Sequence, residues 1–229
     1  MLRLGDHEID LCLFDAYGTL FDVTAAAAKK QSEIGDQWQA LSSLWRTKQI
    51  EYTWLRSLMG SHADFWQVTG DALDFAMDTL GMENPDLRED LMMLYKQLSA
   101  YPEVKGVLSK LREGGARAAI LSNGSPEMLD SAVKNAGIKE YLDEILSVES
   151  VGIFKVHASV YQLAVDRLGV PANRICFFSS NGWDIAGASY FGYRVVWVNR
   201  FGQKKERVPH EIDAEITSLD ELESVLVYK

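Results

Sequence analysis

The spacing of apolar residues changes twice along the chain. Near the start, Leu11-Cys12-Leu13-Phe14 runs directly into Asp15, and a Gly18-Thr19 turn follows. A run so short, bounded by turn residues, predicts a strand buried on both faces. Its acid then stands at the carboxyl end of the strand, where open α/β sheets take their ligands. Turn capping is the plainer reading of the same aspartate. After Thr19 the apolar spacing becomes three and four, which predicts helices over residues 25–30, 37–58, 65–80 and 87–98. Gly60, Gly81 and Asn84-Pro85 punctuate them.

From Tyr101 onward helix and strand alternate, the signature of a parallel sheet. Strands are expected at 116–121, 144–148, 174–178 and 194–198, and helices at 104–111, 158–168, 184–190 and 219–226. A further helix opens at Ser125-Pro126-Glu127, which supplies an N-cap residue, a first-turn proline and an early acid, and closes at Gly137. The fold expected is α/β, a doubly wound parallel sheet built from residues 1–20 and 99–229. Residues 21–98 form a helical cap inserted after the first strand. Four of the six tryptophans (Trp38, Trp45, Trp54, Trp66) give that insert bulk for a small core of its own.

Composition narrows the classes of function. The 229 residues suffice for one sizeable core plus a smaller insert. A net charge of -10 argues against nucleic acid or an anionic membrane as partner. It also repels small anions, but salt screens charges beyond about 8 Å, so local groups decide what binds. No apolar run approaches the roughly 20 residues a membrane span needs, and the Met-Leu-Arg-Leu-Gly-Asp start has no signal-peptide core. A cytoplasmic location is the expectation. Cys12 and Cys176 both fall in apolar strands and read as reduced core thiols, and no Cys/His spacing suits zinc.

Three later segments follow strands and carry polar residues. Ser122-Asn123-Gly124 can present donors to an anion, although turn chemistry alone would explain it. Lys155 precedes a helix, where a lysine is ordinarily solvated. Ser179-Ser180-Asn181-Gly182-Trp183-Asp184 ends the third segment. His157 has no role assignable from its neighbours.

Phe14-Asp15-Ala16-Tyr17-Gly18-Thr19-Leu20 resembles the first motif of the haloacid dehalogenase superfamily, in the version carried by the L-2-haloacid dehalogenases. Phosphatases of that superfamily read Asp-x-Asp-Gly-Thr, and Tyr17 stands where their second acid would be. They also carry two late acids that help hold Mg²⁺, and here Ser180 replaces the first, leaving Asp184. Val156 replaces the superfamily's usual proline after Lys155. The resemblance covers essentially the whole chain and implies a Rossmann-like core with an inserted cap.

The same resemblance implies hydrolytic dehalogenation of short 2-haloalkanoic acids, from L-2-halo acid to D-2-hydroxy acid plus halide. Asp15 is the nucleophile and forms an aspartyl ester that water hydrolyses. Lys155 keeps it ionised, with Thr19, Ser179 and Asn181 as hydrogen-bonding support. Ser122 and Asn123 hold the substrate carboxylate, and Arg46, from the cap, faces the halide with Asn123. Tyr17 and Trp183 wall the pocket, Tyr161 joins Lys155 as a substrate-binding residue, and Phe65 serves either as a pocket aromatic or in the core. Asp184 is the base for water or orients Lys155. No metal or cofactor is expected, and a homodimer is. Two other readings remain open to the sequence, a Mg²⁺-dependent phosphatase, short of carboxylates for a hard cation, and a binding protein that keeps only the fold.

Overall fold

The computed structural model describes residues 2–228. The chain opens with a hairpin, β1 (Leu2–Leu4) and β2 (His7–Ile9), turned at Gly5. Next comes β3 (Leu11–Phe14), every residue of which is buried, as its unbroken apolar run requires. Six α-helices precede the next strand, and the first five are α1 (Ala25–Lys29), α2 (Gln31–Ile34), α3 (Trp38–Met59), α4 (Phe65–Leu80) and α5 (Pro85–Lys96). Their ends are set by local chemistry. The Asp64 side chain accepts the Gln67 N–H at the start of α4, and Asn84 accepts the Leu87 N–H ahead of Pro85 in α5. Leu41, Trp45, Val68, Leu73, Leu91 and Tyr95 are buried where α3, α4 and α5 meet.

The alternating half then builds the sheet. It runs α6 (Val104–Glu113), β4 (Arg117–Ser122), α7 (Pro126–Ala136), β5 (Glu144–Ser147), α8 (Ala158–Leu168), β6 (Ile175–Ser179), α9 (Gly182–Phe191), β7 (Arg194–Val198) and β8 (Ala214–Ile216). Strand order is β5-β4-β3-β6-β7-β8, all parallel. The chain leaves β3 toward β4 and β5 on one side, then returns to lay β6, β7 and β8 on the other. The order therefore reverses at β3, and the crevice this creates opens at its carboxyl end, beside Asp15. Cys12 and Cys176 sit opposite each other in β3 and β6 as free thiols. Burial pushes the Cys12 thiol up to about 12 and raises Cys176 well above its ordinary value, so both behave as apolar core groups.

Three departures from expectation lie at the edges. The terminal helix expected over 219–226 shrinks to α10 (Leu222–Val225), because Leu226–Tyr228 forms a strand, β9. β9 pairs with β1 and completes a small antiparallel sheet, β2-β1-β9, with Leu4 opposite Leu226. β8 was also missed, being only three residues long. Ser125 does hold the cap position of α7, with Pro126 next, but its side chain makes no capping bond.

Candidate active site

The site grows from the turn after β3. The Asp15 N–H donates to the Phe178 carbonyl at 2.9 Å, carrying the pairing of β3 with β6 one residue further and fixing where the carboxylate emerges. The chain then folds back sharply, with the Leu20 and Phe21 N–H groups both donating to the Ala16 carbonyl. Gly18 has φ +90°, and a Cβ there would lie 2.9 Å from Ser180 Oγ. Only glycine meets both demands. The turn brings the Thr19 hydroxyl over Asp15.

Asp15 is 5% exposed and takes donors on both oxygens. Oδ2 accepts from Asn181 Nδ2 at 2.8 Å, Thr19 Oγ1 at 3.2 Å and Ser179 Oγ at 3.3 Å. Oδ1 accepts from Lys155 Nζ at 3.0 Å. Four side-chain donors thus converge on one buried carboxylate. The donors are themselves fixed, since the Ser180 N–H donates to Thr19 Oγ1 and the Asn181 N–H to Ser179 Oγ.

Lys155 is 1% exposed and bridges two acids, reaching Asp184 Oδ2 at 2.6 Å as well as Asp15. Burial alone would depress its pKa, but the charges of Asp15 and Asp184 outweigh burial and raise it, so the ammonium stays protonated. Asp184 is fully buried, and burial, opposed by Lys155 and reinforced by the charge on Asp15, lifts its pKa to about 6. Tyr161 was expected beside the ligand. It is instead wholly buried among Phe177, Phe191 and Tyr193, and its hydroxyl donates to Asp184 Oδ1 at 2.8 Å. It reaches the site through Asp184.

The remaining candidates surround this core. The Asn123 side-chain carbonyl accepts the Lys155 N–H at 3.0 Å, and Ser122 Oγ accepts the Gly124 N–H at 3.0 Å. Both contacts leave the side-chain donors of Asn123 and Ser122 available to an anion. A Cβ on Gly124 would lie 2.7 Å from the Tyr17 ring, so glycine lets the two loops close on each other. Tyr17 stacks on Tyr95 at 5.7 Å and leans on Phe65 at 5.6 Å, which places Phe65 behind the pocket wall and in the core at once. Trp183 packs edge-on against Trp54 of α3 at 5.6 Å. From α3, Arg46 reaches Asn181 Oδ1 at 3.2 Å, so one carboxamide touches both Arg46 and Asp15.

Two roles escaped the sequence reading. His157 is the N-cap of α8, accepting the Ser159 N–H. Gln49, Tyr95 and Thr69 form a buried polar chain behind Arg46, a signal present only as a glutamine three residues beyond the arginine on one helix.

The residues do not fit Mg²⁺. Lys155 Nζ already contacts both Asp15 and Asp184, Tyr17 stands in place of a second acid, and the Ser180 hydroxyl faces Thr19 rather than adding a carboxylate. Among the described residues no three His, Cys, Asp or Glu side chains are grouped to hold a metal. None of the described helices is long and apolar enough to cross a membrane.

Comparison with known proteins agrees with this arrangement. A family model described as haloacid dehalogenase-like hydrolase matches residues 9–192. The chain belongs to that family. The haloacid dehalogenase-like match takes in β3, the five helices and every strand of the site. A curated relative, (S)-2-haloacid dehalogenase 1 of Pseudomonas sp. strain CBS-3, is 46% identical over 220 residues, covering 96% of this chain and 97% of its own. A crystal structure of a dehalogenase with intermediate complex superposes with a TM-score of 0.95 at 44% identity, covering 97% of this chain and 99% of that one. The L-2-haloacid dehalogenase of Xanthobacter autotrophicus with chloropropionic acid covalently bound gives 0.87 at 35% identity, over 93% and 96% of the two chains.

Proposed function

We propose that this haloacid dehalogenase-like chain is an (S)-2-haloacid dehalogenase, converting short L-2-halo acids to D-2-hydroxy acids and halide. The observation that carries the reading is a buried Asp15 held by Lys155, Asn181, Thr19 and Ser179, with Tyr17 and Ser180 standing where a metal-dependent phosphatase carries further acids. The nucleophile is an ionised carboxylate, and the substrate is another small anion, so binding needs local donors. Ser122 and Asn123 supply them for the substrate carboxylate. Arg46, with Asn123, faces the departing halide. Tyr17, Phe65 and Trp183 bound the apolar side. Residues 21–98 act as the cap that brings Arg46 to the site, with residues 1–20 and 99–229 as the catalytic core. The same reading carries a cytoplasmic, homodimeric enzyme with no cofactor.

The contacts of Asp15 suggest which oxygen attacks. Oδ2 is surrounded by three donors, whereas Oδ1 meets only Lys155 and keeps the freer lone pair. Oδ1 bonds to the halogen-bearing carbon as the carbon–halogen bond breaks, and halide leaves with the electron pair. Oδ2 becomes the carbonyl oxygen of the ester. Water then attacks the Asp15 carboxyl carbon and yields its proton to Asp184, while Asn181, Thr19 and Ser179 steady the negative charge that forms on Oδ2. The tetrahedral centre collapses and the ester C–O bond breaks. The proton held by Asp184 passes to the departing alkoxide oxygen to give the 2-hydroxy acid, and the carboxyl of Asp15 releases its remaining proton to solvent. The chiral carbon undergoes one displacement, so its configuration inverts.

Chloride release and chiral product analysis on L-2-chloropropionate test this reading, with p-nitrophenyl phosphate as the competing substrate. The expected result is D-lactate, no phosphate release, and activity unchanged by EDTA. EDTA-sensitive activity restored by Mg²⁺ would favour the phosphatase reading. The base role of Asp184 has its own test. An acid with its pKa lifted to about 6 is ionised at pH 7 and protonates as the pH falls, so the hydrolytic step declines below about pH 6. A flat kcat profile down to pH 4.5 would remove Asp184 as base.

A further inference from the structure

Arg46 is only half of the device that presents positive charge to the pocket. It lies on α3, and one turn on, on the same face, stands Gln49, whose side chain is 0% exposed. Gln49 Oε1 accepts from Arg46 Nη1 at 2.7 Å and from the Tyr95 hydroxyl at 3.1 Å. Gln49 Nε2 donates to Thr69 Oγ1 at 2.7 Å, and the Thr69 hydroxyl donates to the Phe65 carbonyl at 2.6 Å. Arginine can only donate, and burial holds the Tyr95 hydroxyl protonated, so the Gln49 carboxamide has one satisfied orientation. Its chain of partners ties α3 to α4 and α5. The other guanidinium nitrogen, Nη2, is left on Asn181 Oδ1 at 3.2 Å and the Tyr17 carbonyl at 3.4 Å, at the edge of the pocket.

We infer that Gln49, backed by Tyr95, is a positioning residue that aims the Arg46 guanidinium at the leaving halide while leaving its charge unspent. The inference rests on the halide-facing reading of Arg46 and deepens it. A carboxylate at position 49 would fix the same geometry, yet it would pair with the guanidinium and weaken its pull on an anion. A neutral carbonyl orients without neutralising. Because halide charge develops only as the carbon–halogen bond breaks, the benefit belongs to the first chemical step and matters most for the poorer leaving group.

Single-turnover halide release separates this role from a merely structural one, using wild type, Gln49→Leu, Gln49→Glu and Arg46→Ala on chloroacetate and bromoacetate. Both Gln49 variants should slow chloride release by about 10–100-fold, Gln49→Leu because the guanidinium is misaimed and Gln49→Glu because its charge is paired. They should slow bromide release less and weaken inhibition by added bromide. Arg46→Ala should change the chloride-to-bromide rate ratio in the same direction and more strongly. Tyr95→Phe, which deletes one hydroxyl from the chain, should give the same shift more weakly and serves if Gln49→Leu fails to fold. Equal slowing of both substrates by the Gln49 variants, with bromide inhibition intact and Arg46→Ala altering the ratio, would overturn the positioning role alone. An unaltered ratio in Arg46→Ala would sink the halide reading and this inference with it.

Discussion

Lys155→Met should cost at least about 10³ in turnover and about 3–5 kcal/mol in stability at neutral pH. The first figure follows from the site acting as a unit, in which loss of one member removes most of the rate. The second is the penalty for breaking a buried ion pair by removing one partner. Lys155 is the cation shared by Asp15 and Asp184, and all three side chains are almost wholly buried. Methionine fills a similar volume but leaves two desolvated acids near each other, and one of them must take up a proton. That proton is bound in the folded state and not in the unfolded state near neutrality. Stability of the variant should therefore be greatest at acid pH and fall as pH rises above the ordinary carboxylate range. Thermal melts from pH 5 to pH 8 check the sign. A variant whose melting temperature is flat across that range would mean that Lys155 is not the charge partner of these acids.

Asp15→Asn should lose essentially all halide release, by about 10³–10⁶, because an amide oxygen is a poor nucleophile and no neighbouring group can replace it. The structural cost should be smaller. The amide oxygen can keep the three donors that surround Oδ2, at the cost of an NH₂ that faces the Lys155 ammonium, donor against donor. Lys155 retains Asp184, so no buried charge is stranded. Circular dichroism and melting separate the two effects, with the fold expected to persist while turnover vanishes. Rates within tenfold of wild type would show that Asp15 does not carry the chemistry.

The sequence made the sheet readable because its strands are unbroken apolar runs, such as 11–14 and 175–178, closed by turns that carry the polar residues. The helices between β3 and β4 were readable from spacing and from Gly60, Gly81 and Asn84-Pro85. Short strands were not, because β1, β2, β8 and β9 have three residues each, too few to show a pattern, and β8 and β9 pair with strands far off in the sequence. Within the site, Asp15 and Lys155 could be named from motif and resemblance, but their 3.0 Å contact joins positions 140 residues apart. Tyr161 was misplaced for the same reason, since its spacing from Lys155 says nothing of the Asp184 oxygen it meets. Gln49 was passed over because a glutamine on a helix face is ordinarily solvated, and only the packing of α3 against α4 and α5 buries it.

The attack of Asp15 on carbon can be read from the fate of one oxygen atom. With enzyme in excess over L-2-chloropropionate in H₂¹⁸O, a single turnover delivers an oxygen of Asp15 to the product, and water replaces it on the protein. Mass spectrometry of the peptide spanning residues 11–22 should show one ¹⁸O on Asp15, and the lactate hydroxyl should be unlabelled. Labelled lactate with an unlabelled peptide would mean that water attacks the substrate directly, with Asp15 only its base, and would contradict the covalent mechanism.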